Sequence, residues 1–387
     1  MPTCRSIWPP STTSLTRRGS SCPASATRAT GNSARGRTVR LVDYALILAT
    51  AAAVALVVTP LAGRLGRRLG IVDRPGGRRR HKGEIPRLGG IALFAGFAAA
   101  IGVAAWRGLL TANYSDNDTT RLLGILIGSA AAFLFGLIDD RFRLGAGPQF
   151  SFQFLLSGIA LATLLWLERF TLPFVGYVEL SSYPWGAFVY VPLTFVWVMG
   201  MINTVNWLDG LGGLAAGVGA ILCLILAVHM DRAGQPSIAL LPLALLGALL
   251  GFLPYNLAPS RVFLGSAGAY FLGYALSGLG LIAGGRIATV LLVMGLPVVD
   301  VAWQIFDRLR RRRSPLRGGR DHLHFRLLEA GLSERSIVLL YWGFCAAFGL
   351  AGVAQTSPPQ KALALLVIGV AVVVLLARLS RDDPQEA

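Results

Sequence analysis

Asn203, Asn206 and Asp209 stand three residues apart in the run Asn203-Thr204-Val205-Asn206-Trp207-Leu208-Asp209-Gly210-Leu211-Gly212-Gly213. On a helix that spacing puts Asn203 and Asn206 on one face, with Asp209 one further turn along. Polar groups at the end of an otherwise apolar stretch are costly unless they bind something, although a helix cap followed by a glycine turn would also account for them. A second motif, Asp139-Asp140-Arg141, follows directly on the apolar Phe135-Gly136-Leu137-Ile138. Two adjacent carboxylates in such a place need water, a cation or a metal. Arg141 is the nearest cation. Hard carboxylate oxygens are also what Mg²⁺ takes when it keeps several waters and draws its other ligands from phosphates.

Cations gather elsewhere. The segment Asp73-Arg74-Pro75-Gly76-Gly77-Arg78-Arg79-Arg80-His81-Lys82, then Ile85-Pro86-Arg87-Leu88-Gly89-Gly90-Ile91, interleaves Arg and Lys with Gly and Pro. Such a run either anchors a helix at a lipid surface or turns its cations, Lys82 and Arg87 among them, onto phosphate oxygens. Arg320-Asp321-His322-Leu323-His324-Phe325-Arg326-Leu327 holds two of the four histidines of the chain. Residues two apart do not share a helix face, so His322 and His324 can converge only in an extended or irregular loop. A zinc site wants more ligands than these; phosphate contacts or proton transfer fit better. Asp300, set among Pro297-Val298-Val299 and Val301-Ala302-Trp303, is either functional or hydrogen-bonded between apolar segments. The four cysteines, Cys4, Cys22, Cys223 and Cys345, have no metal-ligand spacing and read as inert.

The elements that position these groups are apolar. Of 387 residues 54% are hydrophobic and 14% charged, and the mean hydropathy is +0.60, far above that of a chain with a water-solvated surface. Eleven apolar runs long enough to cross a bilayer recur, at 43–62, 88–106, 122–138, 150–167, 187–203, 212–229, 236–254, 267–283, 286–305, 337–354 and 360–378. They predict an all-α polytopic membrane helix bundle of about eleven transmembrane helices. The net charge of +17 could suggest nucleic acid, but nine Arg or Lys fall in 64–87 and nine more in 306–336. That is the loop bias that orients membrane helices, with basic loops cytoplasmic, and it predicts no nucleic-acid partner. Alternation through the spans then puts 64–87, 139–149, 204–211, 255–266 and 306–336 on one face, where every motif above lies. Residues 1–40, rich in Ser, Thr and Pro, carry seven Arg and no acidic residue; they read as a disordered or mis-assigned leader before a membrane domain over 41–380 and a cytoplasmic tail over 381–387.

The Ile-Pro-Arg-Leu-Gly-Gly entry, the Asp139-Asp140 pair, the Asn-x-x-Asn-x-x-Asp-Gly run from Asn203 and the His-Leu-His-x-Arg-Leu run from His322 together resemble one family, in the same order along residues 43–378. It is the polyprenyl-phosphate N-acetylhexosamine-1-phosphate transferases. The resemblance implies a multi-pass cell (inner) membrane enzyme of cell-envelope polysaccharide synthesis, with cytoplasmic active-site loops. It would transfer a sugar phosphate from a UDP-sugar to a polyprenyl phosphate lipid, releasing UMP. Mg²⁺ would be the cofactor, and a homodimer is allowed. By the same resemblance Asp139, Asp140 and Asp209 would be catalytic and Asn206, Asp139 and Asp140 metal ligands, while Asn203, His322, His324, Arg326, Arg87 and Lys82 would bind substrate. The family usually has an Asp where this chain has Gly212, another where it has Ser266, and a Lys where it has Gln149. A neutral Ser266 implies weak Mg²⁺ binding. The other readings are a catalytically impaired relative that binds lipid phosphate or nucleotide sugar, and a transporter, for which the sequence shows neither the expected internal repeats nor broken spans with midplane charges.

Overall fold

The computed structural model of the chain describes residues 39–74, 83–110, 116–172, 176–282, 287–312, 322–354 and 357–381. Lys82, residues 1–38 of the leader, Arg320-Asp321 and the tail from 382 lie outside the described residues.

All eleven apolar runs are helical. Among the described residues eight helices are long and apolar enough to cross a membrane one by one: α1 (Leu41–Arg68), α2 (Gly89–Trp106), α3 (Asp116–Phe142), α5 (Ala187–Leu208), α6 (Leu214–Arg232), α7 (Pro236–Asn256), α8 (Gly265–Ile282) and α12 (Glu334–Ala354). The run at 150–167 gives a shorter helix, α4 (Ala146–Ala162), because the chain leaves the helix at Thr163 and Leu164 takes a positive φ of 60°. The last run gives α13 (Pro358–Arg381), whose apolar part is Pro359–Val374.

The ninth run corrects the expectation of unbroken spans: it is not one straight span. It is broken into α9 (Ile287–Val293) and α10 (Gly295–Arg310), bent by 82°. Gly295 and Pro297 sit at the break, and Pro297 has no N–H to continue a ladder from α9 and fits only the first turn of a new helix. The bend carries Asp300 on α10 toward α11 (Leu323–Glu329), a short helix of the last basic loop.

At the centre stands α8, with all eighteen residues from Gly265 to Ile282 buried. Its small residues admit other backbones closely: a Cβ on Gly90 of α2 would strike Gly268, and one on Gly136 of α3 would strike the Ala267 backbone. Around it pack α2, α3, α5 and α6, with α1 and α7 outside α2 and α6.

Two small antiparallel pairs complete the fold. Strands β1 (Val72–Asp73) and β2 (Ile85–Pro86) close the first basic loop, and β3 (Arg169–Leu172) pairs with β4 (Gly176–Glu179) in a hairpin before α5. The polar contacts sort the segments into two ends. At one, Tyr44 donates to Asp231 at 2.7 Å, Arg107 meets Asp43 at 3.0 Å and Arg121 meets Glu168 at 3.5 Å. At the other lie the described residues of the five segments that the charge bias grouped together.

Candidate active site

Asp139 and Asp140 form the last turn of α3, and α8 begins beside them. Backbone N–H groups at the start of a helix lack partners within it and carry the positive end of its dipole. Asp140 fills that need: Ser266 N–H donates to Oδ1 and Ala267 N–H to Oδ2, both at 2.9 Å. Arg87, delivered by the turn between β2 and α2, lies 3.5 Å from Oδ1. The carboxylate is buried and both its oxygens are engaged. Its partner is Arg87 rather than Arg141, which is exposed and lies over the Phe142 ring. The Pro86 carbonyl accepts from Phe263, and the N–H groups of Gly89 and Gly90 reach the carbonyls of Phe263 and Leu264, tying this corner to the segment before α8.

Asp139, also buried, has the Tyr270 hydroxyl of α8 beside its carboxylate. Its Oδ1 accepts from Leu144 N–H at 3.0 Å and from Gln149 Nε2 at 3.1 Å, which fixes the turn from α3 into α4. Gln149 thus holds Asp139 by a neutral hydrogen bond at the position where the family resemblance expects a Lys. One turn along α4, the buried Gln153 exchanges two hydrogen bonds with Asn203 of α5, at 2.7 and 3.2 Å. Asn203 Nδ2 also reaches the Met199 carbonyl at 2.8 Å, so this amide, expected to face a substrate, is satisfied inside the bundle.

Asn206 and Asp209 remain at the open end of α5. Asn206 is half-buried and makes no side-chain hydrogen bond among the described residues; Asp209 caps the helix. Below them the turn to α6 is tightly packed. Asn256 accepts from Gly213 N–H at 2.9 Å and donates to the Val262 carbonyl at 3.0 Å, and Ser260 Oγ donates to the Asn256 carbonyl at 2.6 Å. A Cβ on Gly212 would collide with Ser260 Oγ and lie 2.6 Å from the Asn256 carbonyl. Where relatives are expected to carry a second carboxylate, this chain has closed the space with Ser260.

The histidines come to the same corner. His322 is the N-cap of α11 with extended backbone, φ −65° and ψ 145°, and His324 sits in the first turn. One extended residue is therefore enough to bring the rings together, 5.8 Å apart and within 8° of parallel, at the head of a helix rather than in an irregular loop. Trp207 lies against His322 at 5.4 Å, and Phe325 against His324 at 4.3 Å. Gly210 admits this docking, because a Cβ there would lie 2.8 Å from His324 Nε2. His324 is 1% exposed, and neither ring nitrogen has a hydrogen-bond partner among the described residues. Burial pushes it down to about 3, so the ring is neutral at physiological pH. Arg326 is half-buried later in α11.

Asp300 of α10 receives both His322 and the α11 backbone: Oδ2 lies 3.0 Å from His322 Nδ1, and Oδ1 accepts Leu323 N–H at 3.0 Å. The sequence flagged Asp300 as a carboxylate at depth but gave no partner, and nothing in the spacing pointed to Gln153, Asn256 or Ser260. Among the described residues no three His, Cys, Asp or Glu side chains gather closely enough to hold a metal by themselves. The oxygen donors at this end are the Asp139 and Asp209 carboxylates and the Asn206 amide, and both oxygens of Asp140 already accept a backbone N–H.

A sequence model of glycosyl transferase family 4 matches residues 122–284, the stretch from α3 to just past α8 that contains both carboxylate motifs. The chain is similar to a probable undecaprenyl-phosphate N-acetylglucosaminyl 1-phosphate transferase of Bacillus subtilis, 32% identical over 293 residues, covering 74% of this chain and 78% of the relative. It is also similar to a decaprenyl-phosphate N-acetylglucosaminephosphotransferase of Mycolicibacterium smegmatis, 32% identical over 382 residues, covering 91% of this chain and 92% of the relative. The Mycobacterium tuberculosis protein of the same description is 31% identical over 90% of this chain. With its bundle of apolar helices and its motifs at one end, the chain belongs to the polyprenyl-phosphate N-acetylhexosamine-1-phosphate transferase family of multi-pass membrane proteins.

Proposed function

We propose that this protein transfers N-acetylglucosamine 1-phosphate, or a closely related hexosamine phosphate, from a UDP-sugar to a polyprenyl phosphate at the cytoplasmic face of the cell membrane, for cell-envelope polysaccharide. What supports the reading is the docking of the histidines of α11 on the end of α5, at Trp207 and Gly210 between and beside Asn206 and Asp209, in a chain whose relatives are named for this transfer. The chemistry joins an oxygen of the lipid phosphate to the β-phosphorus of the nucleotide sugar. The bond from that phosphorus to the bridging oxygen breaks, and the oxygen leaves with UMP.

Little covalent work falls to the protein in such a transfer; it has to position phosphates and balance their charge. Asp139, Asn206 and Asp209 are the oxygen donors that would hold Mg²⁺. When bound, the ion would neutralise charge on the leaving phosphate. These ligands suit a cation that keeps its waters and takes phosphate oxygens as the rest. With Ser266 in place of a carboxylate, binding of the ion is expected to be weak. Arg326 would supply positive charge near the phosphates, and Trp207 and Phe325 would wall off water. The reading is tested by UMP release from the purified protein in detergent, with a panel of UDP-sugars, short polyprenyl phosphates and Mg²⁺. Release that requires both the sugar nucleotide and the lipid is expected; none with any pair would overturn it.

A further inference from the structure

The least explained carboxylate of the working end is Asp300. It stands on α10 just beyond the break in the ninth span, 3% exposed, and it places one oxygen on each of two neighbouring groups of α11. The bond from Leu323 N–H to Oδ1 does what a helix cap does, and α11 has no other side-chain cap. A cap needs one oxygen. The second, Oδ2, lies 3.0 Å from Nδ1 of His322, itself 6% exposed.

We infer that Asp300 is a positioning residue of the transferase site, holding His322 in the Nδ1–H form so that Nε2 keeps its lone pair and shares a proton with a substrate phosphate. An ionised carboxylate only accepts hydrogen bonds, so the proton between the two groups belongs to Nδ1. Nε2, on the side of the ring away from Asp300, is then the acceptor. When a phosphate hydroxyl gives its proton to Nε2, the imidazolium that forms is balanced by the Asp300 carboxylate, and the proton returns to a phosphate oxygen of the departing UMP. The stacked His324 cannot take this part: it is fully buried, and its ring meets His322 and Phe325 rather than a carboxylate. The break after α9 has a purpose on this account, since it brings a membrane carboxylate to the head of the loop helix.

The inference rests on the transferase reading, and Asp300→Asn separates the two. The amide keeps the shape and can still accept from Leu323 N–H, but toward His322 it can turn its NH₂ group, which donates to Nδ1 and moves the ring proton to Nε2. Protein labelled with ¹⁵N-histidine carries only four such residues, so His322 can be assigned by its own substitution. Wild type is expected to show Nδ1 protonated and Nε2 unprotonated, with Asp300→Asn reversed. UMP release should fall about a hundredfold in kcat while KM for the UDP-sugar stays within about threefold. Asp300→Glu should recover part of the loss, whereas a mere cap would be rescued as well by Asn as by Glu. The same His322 tautomer in wild type and Asp300→Asn, or an unchanged kcat in Asp300→Asn, overturns the inference. Absence of UMP release from wild type overturns the transferase reading instead, and the tautomer comparison then decides the pairing alone.

Discussion

Two corners at the same end of the bundle treat their polar groups in opposite ways. Around Asp140 every partner is internal: two backbone N–H groups of α8 and the Arg87 guanidinium take up both carboxylate oxygens. Around the end of α5, Asn206 has no side-chain hydrogen bond among the described residues and His324 has two buried ring nitrogens without partners. The carboxylate of the first corner is closed on itself, whereas the second corner leaves polar atoms without protein partners among the described residues. Adjacent residues in one motif, Asp139 and Asp140, thus have different partners: one fixes the turn from α3 into α4, and the other joins α3 to the start of α8.

The sharpest way to break this contrast is to remove the joint. Asp140→Ala leaves two buried helix N–H groups and the half-buried Arg87 without their acceptor, and it should lower stability by about 3 kcal/mol, read as a large drop in the detergent melting temperature. If the protein melts as wild type does, Asp140 is not a structural clamp. At the open corner the expected effect moves from stability to rate. Asp209→Asn and Asn206→Ala should each lower UMP release by about a hundredfold with melting unchanged, because they organise charge in the transition state. Equal losses of stability from these two would erase the distinction.

A smaller effect is expected from Gly210→Ala. The new methyl group would press on His324 and Phe325, lift α11 from the end of α5 and lower kcat/KM by about tenfold, an overpacking penalty of roughly 1–2 kcal/mol. Wild-type kcat/KM would mean that α11 docks elsewhere during turnover. The smallest concerns pH. His324 is held near 3 in the fold against an ordinary value of 6.5, so as pH falls the unfolded chain takes up the proton first. Its contribution to stability is full above pH 6.5 and is lost as pH falls from there toward 3. At pH 5.5 the loss is about 1 kcal/mol. His324→Phe should flatten the fall in melting temperature between pH 7 and pH 5.5; an unchanged slope would show that the ring is not buried neutral.

Much of this architecture was legible in the chain because the bilayer imposes a length. Each of the eleven apolar runs is a helix or, at 286–305, a helix pair, and the charge bias grouped the segments that the polar contacts join. The break at Met294 escaped a hydropathy reading because apolar character continues through it, although Pro297 was a visible sign. Motif membership was legible as well, since polar residues at the ends of apolar runs stand out. Partner choice was not. Asp140 bonds residues 126 and 127 positions away, Gln153 and Asn203 are 50 apart, and Asp300 and His322 are 22 apart. Local spacing suggested Arg141 for Asp140 and a shared ligand face for Asn203 and Asn206; packing gave Asp140 to Arg87 and Asn203 to Gln153. The vacancy left by Gly212 is likewise closed by a residue of another loop, Ser260, which no pattern around Gly212 announces.

The most direct test of the contrast measures UMP and lipid-linked sugar together, in the same detergent preparation of wild type and Asp209→Asn, from UDP-N-acetylglucosamine, a short polyprenyl phosphate and Mg²⁺. Wild type is expected to form the two products in equal amounts, and Asp209→Asn, folded and melting normally, to form about a hundredth as much. Equal product from both proteins, or UMP without lipid-linked sugar, would contradict the account.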